Sequence, residues 1–135
     1  MSTNFYAHFT LGGGHHSDQS LVYKMHIGKR SSKGLSTISG VHFPDVDSWV
    51  KFLRHNANAI KVVDEYGTDQ DIEAFIEEEL LGNPESSKQQ IERLRTHDGL
   101  LGPHIIHDEP QPTTWEPKNW IDQATGKLFY SGEFS

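Results

Sequence analysis

Phe5-Tyr6-Ala7-His8-Phe9-Thr10-Leu11 and Leu21-Val22-Tyr23-Lys24-Met25-His26-Ile27 are two stretches of period two, parted by Gly12-Gly13-Gly14-His15-His16-Ser17-Asp18. Phe5, Ala7, Phe9 and Leu11 alternate with Tyr6, His8 and Thr10, and Leu21, Tyr23, Met25 and Ile27 alternate with Val22, Lys24 and His26. That alternation is the mark of half-buried strands, and the glycine-rich segment between them reads as a hairpin loop. Setting Leu11 against Leu21 places Tyr6 opposite His26 and His8 opposite Lys24, so these four side chains share one face. Gly28 to Gly34 follows as a basic loop, and Leu35 to Phe43 reads as a third strand. Three strands with short joins predict an antiparallel meander.

Beyond the meander the period changes. Pro44-Asp45 opens a helix with Asp45 as its N-cap, and Trp49, Phe52 and Leu53 recur at helical spacing. Residues 59–66 fit either a continuation of this helix or a short strand, since Ile60, Val62 and Val63 are β-branched. Thr68-Asp69-Gln70-Asp71 resembles a capping box ahead of the apolar stripe Ile72, Phe75, Ile76 and Leu80. Asn83-Pro84 begins a third, more polar helix that runs to about Thr96. A proline-containing connection leads to a C-terminal hairpin over 120–134, turning at Asp122–Gly126. The expected fold is α+β, a single domain over 1–135: an antiparallel N-terminal sheet, two or three helices packed on one face, and a C-terminal β-hairpin. Its core is expected to draw on Phe9, Leu21, Tyr23, Met25, Ile38, Trp49, Phe52, Leu53, Ile72, Phe75, Ile76, Leu80, Leu128 and Phe129.

Composition narrows the function classes. The chain has 135 residues, a net charge of −7 and no cysteine. Disulfides, thiolate nucleophiles and cysteine-based zinc sites are excluded. No apolar run approaches the ~18 residues of a membrane span, and Met1 to Phe5 carries no signal-peptide pattern, so a cytoplasmic location is expected. Charge is unevenly divided. Residues 1–63 carry seven Lys/Arg against three acids, whereas residues 64–135 carry sixteen acids against five bases. From Val62 to Ser87 there is no Lys or Arg. Such a segment repels phosphate and attracts basic partners.

Three functional expectations follow. The leading one is a small non-enzymatic binding protein, of the inhibitor, anti-defence or immunity type. It would occupy a basic site on a partner macromolecule, a nucleic-acid-binding site being one such, through Asp69, Asp71, Glu73, Glu77, Glu78 and Glu79. The second is a nucleotide or phosphate-ligand site on the N-terminal sheet, built from His8, His15, His16, Lys24, His26 and Arg30, with His8 and His26 as the catalytic pair if a phosphodiester is cleaved. The third is an assembly subunit, a homo-oligomer in which the basic half of one copy meets the acidic half of the next. The overall negative charge argues against extended nucleic-acid binding.

His8-Phe9-Thr10 has the His-x-Thr shape that two-histidine phosphoesterases carry once in each lobe. The other such tripeptide, His15-His16-Ser17, lies in the adjoining loop rather than in a second lobe, so that family is not assigned. His104-x-x-His107-Asp108-Glu109 offers ligand atoms without a helical face to align them, and no metal or other cofactor is expected.

Overall fold

The computed structural model describes residues 2–11, 21–30, 34–96, 105–112 and 116–132. Strand β1 (Thr3–Leu11) pairs antiparallel with β2 (Leu21–Arg30). In this register Leu11 lies opposite Leu21, His8 opposite Lys24 and Tyr6 opposite His26. A bulge then shifts the register, so that Phe5 faces Gly28 and Ile27 is the extra residue of β2. A bulge re-phases the alternation beyond it. Arg30 therefore turns towards Phe5, with its guanidinium 5.0 Å from the centre of that ring, rather than joining Lys24 and His26.

Strand β3 (Thr37–Ser39) continues antiparallel to β2. Helix α1 (Val46–His55) starts where Asp45 accepts a hydrogen bond from Ser48 N at 2.8 Å and ends at Asn56. Residues 60–64 then form β4 (Ile60–Asp64), a strand rather than more helix, which pairs antiparallel with the other edge of β1. β5 (Asp69–Gln70) pairs in turn with β4. Helix α2 (Ile72–Phe75) is capped by Asp71, whose carboxylate accepts from Ala74 N at 2.9 Å. The expected box from Thr68 to Asp71 is thus displaced by three residues, because 69 and 70 are consumed by strand pairing. α2 runs directly into a π-helical turn, Ile76–Leu80, and helix α3 (Pro84–Thr96) follows. The chain closes with β6 (Ile106–His107), β7 (Asn119–Asp122) and β8 (Lys127–Tyr130).

The result is α+β, a mixed sheet of eight strands in the order β5-β4-β1-β2-β3-β8-β7-β6. β7 and β8 pair antiparallel around a turn in which Gly126 takes a φ of 75°. β8 runs parallel to β3, and β6 parallel to β7. On one sheet face Phe5, Ala7, Met25, Ile27, Ile38 and Phe129 pack with Val46, Trp49 and Leu53 of α1 and with Phe75, Ile76 and Leu80 of α2 and its π turn. Trp120 stacks on Phe129 and fills the space above Gly40, where any Cβ would lie 2.3 Å from the indole. Tyr23, expected inside, is 41% exposed; at its end of β2 it lies against the rings of Phe9 and His42.

Helix α3 does not share that face. In β8 both Leu128 and Phe129 are buried, so both sides of this strand are covered. Phe129 faces α1, and Leu128 faces α3, whose Ser87 accepts a hydrogen bond from Leu128 N at 3.0 Å. One helix on the opposite side replaces the expected single helical layer. Burying the ten-residue span of β2 on both faces would need apolar residues at Lys24 and His26, so α3 covers only the half of the sheet around β8.

A buried lysine holds these pieces together. Lys127 is fully buried, and its ammonium donates to Leu35 O (3.1 Å), Glu79 O (3.2 Å) and Gly82 O (2.6 Å). Burial lowers its pKa to about 8, against an opposing pull from Glu79. It therefore carries its proton at neutral pH. The Glu79 carboxylate, itself 4% exposed, accepts from Gly34 N at 2.9 Å and forms an ion pair with Arg30. Replacing Lys127 by Met takes one donor from each of three carbonyls inside the protein, of which Glu79 O keeps Leu35 N and Leu35 O keeps Ser87 Oγ. We expect Lys127→Met to lower the unfolding free energy by about 3 kcal/mol or more in urea titration, and a loss below about 1 kcal/mol would show that the network is dispensable.

Candidate functional site

The sheet face opposite α1 and α2 is open over β4, β1 and β2, and the polar side chains of these strands meet there. Tyr6 and His26 stack with ring centres 4.9 Å apart. Lys24 places its ammonium 4.1 Å from the centre of the Tyr6 ring, and His8 lies 6.3 Å from that ring on the other side. β4 sets Lys61 opposite His8. A hollow of about 210 Å³ borders this cluster, lined by Lys24, His26, Ser39, Val41, His42 and Gly132. Ser39 and His42 were not singled out from the sequence. Their place beside Lys24 depends on β3 pairing with β2 beyond the bulge, which no local pattern announces.

The two imidazoles are held neutral by different surroundings. His26 Nε2 donates to Asn4 Oδ1 at 2.9 Å, and Asn4 N in turn donates to Glu65 Oε1 at 2.7 Å. Burial lowers the His26 pKa to about 4; a backbone hydrogen bond with Gly28 pulls it up, and Lys29 and Lys24 push it down. His8 is also lowered, by burial and then by Lys24. Its Nε2 is buried and has no hydrogen-bond partner among the described residues. Leaving such an atom unsatisfied costs about 1–3 kcal/mol. Tyr6 shifts the other way, its pKa raised by burial and by Glu65, so its hydroxyl stays protonated at neutral pH.

Of the six residues expected to form a phosphate site, His8, Lys24 and His26 come together here. His15 and His16 lie outside the described residues. Arg30 is on the other side of the sheet, turned there by the bulge and paired with Glu79.

The six acids expected to form a docking surface are divided. Glu79 is buried in the core network and cannot belong to a surface. Asp71 caps α2. Glu73 receives Arg54 through both guanidinium nitrogens Nε and Nη2, at 3.1 and 2.9 Å. Asp69 lies 3.8 Å from Lys61. Glu77 and Glu78 are exposed on the π turn. Three acids of the second half, Asp69, Glu73 and Glu79, thus meet cations of the first half within the monomer.

Among the described residues no group of three or more His, Asp or Glu side chains is arranged to hold a metal ion. No helix among them is long and apolar enough to cross a membrane. Comparison with protein-family models, with curated proteins and with solved structures finds no match to this chain.

The His26 environment has a pH signature. Its folded-state value of about 4 lies below the usual 6.5, so the unfolded chain takes up the proton first as pH falls. The stability it contributes is complete above pH 6.5 and is lost as pH drops towards 4. In paired urea titrations His26→Gln should show a shallower loss of stability than wild type across this window, and parallel curves would contradict the assignment.

Proposed function

We propose that this protein is a binding protein for a small phosphorylated ligand, taken on the open face of β1 and β2. The observation that carries this reading is the cross-strand pair of His8 and Lys24, in which a buried imidazole nitrogen lacks a partner next to an exposed ammonium. A turn of the half-buried His8 ring presents its neutral Nε2–H to a phosphate oxygen, and Lys24 supplies the charge. The rest of the ligand lies in the adjoining hollow, where Ser39 and His42 offer hydrogen bonds and Val41 an apolar wall.

Binding rather than cleavage is favoured by proton affinity. A two-histidine phosphodiesterase needs one imidazole protonated as general acid, and the pKa of an effective one lies near the working pH. A value of about 4 leaves His26 almost wholly neutral at pH 7. The small size of the hollow suits a nucleotide or sugar phosphate better than a nucleic-acid strand.

Calorimetric titration with inorganic phosphate and with adenosine 5′-monophosphate tests this. Wild type should bind the nucleotide, and His8→Ala and Lys24→Ala should each weaken binding by about tenfold, the loss of one charge-assisted or buried hydrogen bond. Equal affinities in all three proteins would overturn the reading.

A second reading keeps the docking function on a reduced surface. It is supported by the exposure of Glu77 and Glu78 on the π turn, a helical irregularity often found at functional sites. The double variant Glu77→Lys/Glu78→Lys should then abolish capture of a basic partner while leaving the circular dichroism spectrum unchanged. Undiminished capture at low salt excludes it.

A further inference from the structure

The face covered by α3 holds a second recess, separate from the histidine cluster. Ser87, Ile91 and Leu94 lie on one side of α3 at helical spacing. Ser87 is fully buried and is bonded to Ser36 O (2.9 Å) and Leu128 N (3.0 Å), so the start of the helix is fastened to the sheet. Burial weakens along the stripe, from Ser87 through Ile91 (7% exposed) to the half-buried Leu94. Between the far end of α3 and the sheet lies a cleft of about 280 Å³, lined by Leu94, Leu128, Lys29, Thr37, Asn119 and Tyr130 among others.

The chemistry of this lining is specific. Leu94 and Leu128 form an apolar floor, and Pro117 adds to it. Among the described residues lining the cleft, Lys29 is the one that carries a charge. Thr37, 5% exposed, brings a hydroxyl to the cleft wall, and Asn119 brings a side-chain amide. A few polar groups around an apolar floor, next to one cation, are the usual makings of a small-molecule site. The volume is close to the ~300 Å³ at which such sites begin.

We propose that this cleft is a ligand site for a small amphipathic anion: an aromatic or branched apolar body against Leu94 and Leu128, with its carboxylate, sulfonate or phosphate facing Lys29 and its hydrogen bonds made by Thr37 and Asn119. The bulge in β2 is what creates it. By re-phasing the strand it turns Lys29 towards the α3 side and sends Arg30 to the core, so one irregularity places two cations on opposite faces. This site does not rest on the histidine face, and each can fail without the other.

The probe is 8-anilinonaphthalene-1-sulfonate, an aryl anion of suitable size, followed by fluorescence titration of the full chain at neutral pH. Wild type should bind one equivalent saturably. Lys29→Met should weaken binding by tenfold or more, as should Leu94→Trp, which fills the cleft from a half-buried position. Gln90→Trp, also on the cleft wall, serves if Leu94→Trp does not fold. The uncharged analogue N-phenyl-1-naphthylamine should bind wild type and Lys29→Met alike. Lys24→Ala should leave the sulfonate affinity unchanged. No saturable binding to wild type, retention of affinity in the folded Trp variant, or loss in Lys24→Ala instead of Lys29→Met would each overturn the proposal.

Discussion

One ammonium group joins three parts of this molecule that are distant in sequence. Lys127 lies on β8, and its three acceptors belong to the connection before β3 and to the end of α2 and its π turn. An unpaired charge at this depth would cost several kcal/mol. Here every proton of the ammonium has a carbonyl acceptor, and those carbonyls include the ones a helix end leaves without partners. The lysine thus serves as a C-cap delivered from the sheet. Around it the Glu79 carboxylate binds Gly34 N and Arg30, and Leu35 N donates to Glu79 O at 3.0 Å. Removing any one of these groups takes a hydrogen-bond partner from another, so the network behaves as a unit.

This arrangement explains why a chain with such divided charge folds as one sheet. Part of the acidic segment after Val62 is paired within the monomer. Its residues return to the basic first half: Glu79 to Arg30, Glu73 to Arg54, Asp69 to Lys61, and Glu65 to the backbone of Asn4. The exposed pairs among these add little stability, about 0–1 kcal/mol each. The Arg30–Glu79 pair, with a buried carboxylate and a part-exposed guanidinium, favours this register instead, because slippage of β2 by one residue would leave the buried Glu79 charge without its partner. With that register fixed, His8, Lys24, Tyr6 and His26 are held on the uncovered face.

The legible part of the fold was local. The register of β1 on β2 follows from two alternating stretches around one loop, and it brings the histidine face with it. The Asp45 cap could be read because an acid directly after a proline precedes a clear apolar stripe. The rest depends on partners distant in sequence. β4 could not be assigned beside β1, nor β8 parallel to β3, from patterns that describe one strand at a time. Arg30 was misplaced because a bulge has no signature in Phe5, Tyr6, Ile27 or Gly28 themselves. Lys127 reads as a solvated residue after a turn, and Glu79 as one more acid in a run; only their mutual burial distinguishes them. The cleft under α3 was invisible for the same reason, since its walls come from β2, β3, β7, β8 and α3.

The dependence of the whole on the lysine network can be measured directly by native-state hydrogen exchange. The amides of Gly34, Leu35 and Leu128 donate to Glu79 Oε1, Glu79 O and Ser87 Oγ, at the junction of the three segments. If the network is the keystone, these amides exchange only through global unfolding, with the free energy and denaturant dependence of the full transition. Exchange through a local opening of much lower free energy, while β1 and β2 remain protected, would show that the sheet stands without it and contradict the account.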